Sequence, residues 1–163
     1  MAAQYGLVLA LTKNGDFEEA KTLIKPMREF APNNMTYSLA EADIYIEQEN
    51  YGEAIALLER DLRLAPNNQP ISMYLANAYF RAGYYEKADK LLSHQSKTHP
   101  SDANLWYVLA EVQGKAGNIL GLHQSRAEYF RLNGAMKEAI EQLNLALPLA
   151  RDNVTKERIH SRI

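Results

Sequence analysis

Three alanines, Ala20, Ala54 and Ala88, stand 34 residues apart, and Pro32, Pro66 and Pro100 keep the same interval. Around the alanines the text repeats as Gly15-Asp16-Phe17-Glu18-Glu19-Ala20, Glu49-Asn50-Tyr51-Gly52-Glu53-Ala54 and Gly83-Tyr84-Tyr85-Glu86-Lys87-Ala88. A fixed interval of this length means that one supersecondary unit is copied along the chain, and each copy buries its apolar face only against its neighbours.

Within each period, apolar residues recur at three- and four-residue steps and a turn former interrupts them, which predicts two amphipathic helices. In the first copy Leu7, Val8 and Leu11 face Phe17, Ala20 and Ile24 across Asn14-Gly15-Asp16. The small alanines let the paired helices approach closely. Gly15, Gly83 and Gly117 fall where the first helix must end, and the prolines stop the second. In the second copy Glu49-Asn50 replaces Gly-Asp, and Asn50 is expected to take the left-handed conformation there.

This period and punctuation resemble those of tetratricopeptide (TPR) repeats. The expected fold is all-α, a helix-turn-helix solenoid wound as a right-handed superhelix. One domain is expected over residues 1–163, with repeats at about 1–34, 35–68, 69–101 and 102–133. Gly134-Ala135-Met136-Lys137-Glu138-Ala139 repeats the turn motif, but Ala139 lies 51 residues beyond Ala88, one and a half periods. A helix over about Ile119 to Leu132 must therefore close one pair and open the next, giving an off-phase pair at 119–150. Asp152 or Thr155 then caps a terminal helix at 153–163.

The 163 residues carry 18 basic and 20 acidic side chains, so no basic excess recommends a nucleic-acid partner. Residues 1–66 hold six basic and eleven acidic groups, and the second repeat is acidic, with Glu41, Asp43, Glu47, Glu49, Glu53, Glu59 and Asp61. These read as solvated helix faces in preference to an acidic docking patch. Cysteine is absent, which removes thiol catalysis and disulfides. No apolar run approaches the roughly 18–20 residues that cross a bilayer, so membrane insertion is not expected. The opening Gln4-Tyr5-Gly6-Leu7-Val8-Leu9-Ala10 already has helical character, as in a module taken from a longer protein.

Catalytic signatures are missing: there is no nucleophile elbow, phosphate loop or dinucleotide fingerprint. His94, His99, His123 and His160 lack the spacing that puts two imidazoles on one helical face, so they read as incidental. Tyr45, Tyr79, Tyr51, Tyr85 and Trp106 occupy phases that TPR helices use for packing.

In TPR arrays the first helix of each pair lines a concave groove. Mapped by period, the groove phases hold Tyr5, Leu9, Thr12 and Lys13; Leu39, Asp43, Ile46 and Glu47; Met73, Asn77, Phe80 and Arg81; Tyr107, Glu111 and Lys115. Leu9, Ile46, Met73 and Phe80 are expected either to be exposed anchors for an extended or partly folded polypeptide or to be covered by later helices or a neighbouring domain. Chaperone-binding TPR proteins grip a C-terminal carboxylate with Lys and Asn. At those phases this chain has Tyr5, Leu9, Ala40, Pro70 and Tyr74, so that clamp is missing.

Ala2-Ala3-Gln4-Tyr5-Gly6, Leu75-Ala76-Asn77-Ala78-Tyr79, the off-phase Arg126-Ala127-Glu128-Tyr129-Phe130-Arg131-Leu132-Asn133-Gly134 and the ending Arg158-Ile159-His160-Ser161-Arg162-Ile163 resemble the C-terminal TPR region of the BepA family. These are bacterial periplasmic zinc metalloproteases that enhance outer-membrane β-barrel assembly. The resemblance implies a non-catalytic periplasmic module that docks the protease onto the barrel assembly machinery and its stalled barrel precursors. It implies no cofactor in this chain, with zinc expected only in a protease domain whose His-Glu-x-x-His motif is absent here. Two other readings belong beside it: an independent adaptor in secretion or pilus assembly, and a regulatory cover for the protease domain itself.

Overall fold

The left-handed backbone positions fall at the turns: Gly15 has a φ of 84°, Gly83 of 81°, Gly117 of 75° and Gly134 of 76°. The second turn uses Glu49, with a φ of 59°, and Asn50 stays at −85°. The expectation for Asn50 is thus corrected. Glu49 is the residue in phase with the glycines, and the geometry of the turn falls on the phase whatever the side chain. The same six-residue closure recurs: Asp16 N–H donates to Leu11 O at 2.9 Å, Asn50 to Tyr45 at 2.8 Å, Tyr84 to Tyr79 at 2.8 Å, Asn118 to Gln113 at 2.9 Å and Ala135 to Phe130 at 2.9 Å. This is the bond that satisfies an orphan carbonyl at a helix end.

The computed structural model describes residues 2–163, which form ten α-helices and a short 3-10 turn in two compact units, one running to Tyr84 and the other from Tyr85. The first unit contains α1 (Ala2–Asn14), α2 (Phe17–Phe30), α3 (Met35–Glu47), α4 (Tyr51–Leu64) and α5 (Gln69–Arg81). Each helix packs on the next, and α3 also touches both α1 and α5. Val8, Leu11, Ala20, Ile24, Met27, Ala40 and Ile44 make one buried cluster, with Tyr5, Leu9, Phe17 and Tyr37 packed on it. Ala20 and Ala54 are fully buried, where a larger side chain would hold the helices apart.

The Ala-Pro-Asn-Asn segments carry a second instruction. Asn34 accepts from Thr36 N–H at 3.0 Å and Asn68 from Ile71 N–H at 3.1 Å, so each caps the helix that follows. Proline two residues after one helix and asparagine just before the next define the connection.

The acidic second repeat is largely paired, not merely solvated. Glu41 accepts from Arg28 Nε at 2.9 Å, and Glu59 accepts from Tyr79 OH at 2.6 Å. Asp61 is buried, accepting from Ser38 Oγ and, at 3.0 Å, from Arg60 Nη2. Burial together with this bond to Glu59 pushes the Tyr79 hydroxyl well above its ordinary range.

The second unit contains α6 (Tyr85–Thr98), α7 (Ala103–Lys115), α8 (Ile119–Leu132), α9 (Met136–Ala146), the 3-10 turn Leu147–Leu149 and α10 (Asn153–His160). Here α8 packs against α7 on one side and α9 on the other, so one helix belongs to two pairs. A Cβ on Gly121 would lie 2.6 Å from Asn118 Nδ2 and 2.8 Å from Gln113 Nε2, so a larger residue here would displace those two side chains. A polar chain joins three helices: Asp89 accepts from Gln113 Nε2 at 3.1 Å and Asn118 Nδ2 at 2.9 Å, and Gln113 Oε1 accepts from buried Ser125 at 2.7 Å. Trp106 is half-buried and not fully within the core, because its indole N–H donates to Pro100 O at 2.9 Å and braces the loop before α7.

At the end of the unit, Ala127, Leu143, Ala146, Ala150 and Ile159 form a buried cluster. Asp152 is the cap of α10, accepting from Thr155 N–H at 2.8 Å. Glu128 on α8 pairs with Arg131 at 2.8 Å and with Arg162 beyond α10.

Candidate functional site

In the first unit the expected groove residues lie on α1, α3 and α5, where Asp43 stands within electrostatic reach of Lys13 and Arg81, and Tyr74 of Asp43 and Tyr5. Tyr5 is half-buried, its ring 6.1 Å from that of Tyr37, and Leu9 is half-buried against the core. Lys13 and Asn77 are exposed; Asp43, Met73 and Phe80 are half-buried. Arg81 donates to Glu47 and lies 5.8 Å from the Tyr51 ring centroid.

Ile46 does not belong with them. It is fully buried, and its expected role as an exposed anchor is corrected. The reason lies in the row to which it belongs. Thr12, 34 residues earlier, is also buried, and its hydroxyl donates to Val8 O at 2.8 Å. This row turns toward the neighbouring helices.

Asp43 carries the electrostatics of the face. Burial raises its pKa above the ordinary value, Glu47 adds to the rise, and Arg81 and Lys13 oppose it. Among the described residues its carboxylate takes part in no ion pair. Tyr74 is raised chiefly by burial and then by the Asp43 and Tyr5 groups, which sets all three together. In sequence Tyr74 stood out only as a substitution in a missing clamp; its place beside Asp43 depends on α3 and α5 being neighbours.

Away from this face, a polar cleft of about 550 Å³ is lined by residues including Lys25, Arg28, Glu41, Arg60, Asp61 and Leu64. Its charges are largely paired with one another, as described above. Among the described residues no group of three or more His, Asp or Glu side chains stands close enough to hold a metal.

In the second unit, the expected groove residues Tyr107 and Glu111 lie on α7 and line a smaller cleft of about 280 Å³ with Ala110, Arg126, Tyr129 and Phe130. Tyr107 and Tyr129 have ring centroids 5.5 Å apart, as do Tyr129 and Phe130. Nothing in the 34-residue period couples α8 residues to the groove phases, so Arg126, Tyr129 and Phe130 were not legible as site residues.

Comparison with known proteins agrees with the architecture. Residues 45–112 match the tetratricopeptide repeat family model, and solved structures, a TPR protein among them, match along nearly the whole chain. The chain has a TPR fold. The structure of MamA 41-end from Desulfovibrio magneticus RS-1 is 16% identical, with a TM-score of 0.68 over 93% of this chain and 96% of that one. The MamA RS-1 ArsTM double mutant is 16% identical, with a TM-score of 0.70 over 99% and 90%. TTC0263, a thermophilic TPR protein of Thermus thermophilus, is 18% identical, with a TM-score of 0.62 over 99% and 97%. At these identities the likeness is one of fold. No curated protein matches the sequence significantly. Among the described residues no helix is long and apolar enough to cross a membrane.

Proposed function

We propose that this TPR chain is a non-catalytic protein-interaction module. In the reading its sequence resemblance favours, it docks a periplasmic zinc metalloprotease onto the outer-membrane β-barrel assembly machinery and its stalled precursors. The observation that carries an interaction role is Asp43, a half-buried carboxylate with no ion pair among the described residues, set beside Tyr5 and Tyr74 on α1, α3 and α5. Folding alone gains nothing from desolvating an acid without a partner, whereas a recognition surface gains a group that a ligand can complete. Partner specificity, the periplasmic location and the absence of a cofactor in this chain rest on the resemblance.

The test places a photo-crosslinking amino acid at Lys13, Asn77 and Tyr107 of the full-length protein in cells. Lys13 and Asn77 are exposed and Tyr107 is half exposed, so a probe at each position meets solvent. Adducts with the barrel assembly machinery or with barrel precursors are expected. Adducts solely with a protease domain of the same protein would instead make the face a regulatory cover.

A further inference from the structure

The cleft between α7 and α8 is built from three rings and one neutralised pair of charges. Tyr107 reaches it from α7 and Tyr129 and Phe130 from α8, and Ala110, almost fully buried, forms its floor. The ring planes of Tyr107 and Tyr129 are tilted by 54° and those of Tyr129 and Phe130 by 61°, so the cleft presents both ring faces and ring edges. Tyr107 is nevertheless 51% exposed, an unusual state for a ring packed beside a second aromatic ring. The opposite wall, with Tyr129 and Phe130, is fixed, because α8 packs on both α7 and α9.

Size and charge narrow what fits. A space of about 280 Å³ takes one large side chain. It is too small for a helix, whose diameter is about 10 Å. At the rim Arg126 Nη2 stands 3.5 Å from Glu111 Oε1, with both side chains about half exposed. The two charges answer each other, so a charged anchor would shed its hydration and find no unpaired counter-charge. A neutral ring loses no such hydration and gains edge-to-face and offset contacts at about 4.5–7 Å.

We infer that this cleft receives a single uncharged aromatic side chain carried by an extended stretch of polypeptide. The inference rests on the reading of the chain as a polypeptide-binding module; the position of the cleft and the class of anchor are its own content.

The test is an NMR titration of the 163-residue chain with nine-residue Gly/Ser peptides that differ only in a central Phe, Lys or Glu. The Phe peptide should shift the ring signals of Tyr107, Tyr129 and Phe130 saturably, and the Lys and Glu peptides should bind at least about tenfold more weakly. Tyr107→Ala should weaken Phe-peptide binding by about tenfold with helicity unchanged. Ala110→Phe, which fills the cleft from its floor, should block binding; if that variant fails to fold, Tyr107→Ala decides the matter alone. Equal binding of all three peptides would overturn the inference. So would Phe-peptide shifts confined to α1–α5, although a polypeptide-binding role would then survive. Crosslinking to barrel components in cells separates the two questions, since it reads partner capture without regard to the class of anchor.

Discussion

Arg81 donates to Glu47 across 34 positions, the repeat interval itself. Lys13 occupies the same phase one repeat earlier, so the three residues form a stripe along α1, α3 and α5. The ion pair therefore verifies the repeat register with a bond. Both side chains are partly exposed, at 32% and 45%, and this limits its strength. A double-mutant cycle with Arg81→Met and Glu47→Gln is expected to give a coupling below about 1 kcal/mol that shrinks as salt is added. A coupling that ignores salt would contradict the solvated geometry.

Glu49 supports a gain-of-stability prediction. It adopts a φ of 59°, a conformation that costs a side chain-bearing residue about 1 kcal/mol relative to glycine. Glu49→Gly should therefore stabilise the chain by about that amount in urea unfolding. Destabilisation would show that the Glu49 side chain makes a compensating interaction.

Asp43 should set a conflict between stability and recognition. Its folded pKa is raised, first by burial and then by Glu47, above the ordinary 3.8. The folded chain thus holds the proton more tightly than the unfolded chain does. The favourable contribution is full below pH 3.8 and is lost as pH rises through the folded value. Asp43→Asn should accordingly raise Tm at pH 7 and lose that advantage at low pH, while weakening partner capture. A variant with lower Tm at pH 7 would mean that the carboxylate is compensated after all.

Tyr79 predicts the alkaline limb. Burial, followed by its bond to Glu59, raises its pKa above the ordinary 10.0, so stability from the neutral phenol is present below pH 10.0 and falls as pH rises further. Tyr79→Phe should flatten the loss of stability above that pH, and an unchanged slope would assign the loss to other tyrosines. The neutral Tyr79 hydroxyl is the donor to the Glu59 carboxyl oxygen, at 2.6 Å.

Asp61 joins α4 to Ser38 at the start of α3 and is only 4% exposed. Asp61→Ala leaves the buried Ser38 hydroxyl without its acceptor, at a cost of about 1–3 kcal/mol. Asp61→Asn keeps an acceptor oxygen and should cost less. Equal losses for the two variants would place the stabilisation in the charge and its Arg60 partner, not in the hydroxyl bond.

The repeat interval carried the local structure. It located the helix pairs, the turns, the buried alanines and the helix that serves two pairs, because each depends on residues close in sequence and on a fixed phase. It erred where phase alone had to say which way a row points. Ile46 lies in a row with Thr12 and Phe80, and two of these three are buried. Position in the period gives an angle about the helix axis; only the neighbouring helices determine whether that angle meets water.

The acidic second repeat shows the same division. Its charges were countable in sequence, but Glu41, Glu59 and Asp61 find partners 13, 20 and 23 residues away, on other helices. Asp43, without an ion pair among the described residues, is distinguished from them only by packing.

By itself the sequence determined the all-α repeat architecture, since a 34-residue interval of small, apolar and turn-forming residues admits few other foldings. Tertiary structure decided which groove-phase residues remain available, and it alone created the aromatic cleft. Tyr107 and Tyr129 are 22 positions apart on different helices, out of phase with the repeat, and become neighbours because α8 packs against α7 while α9 packs on its other side.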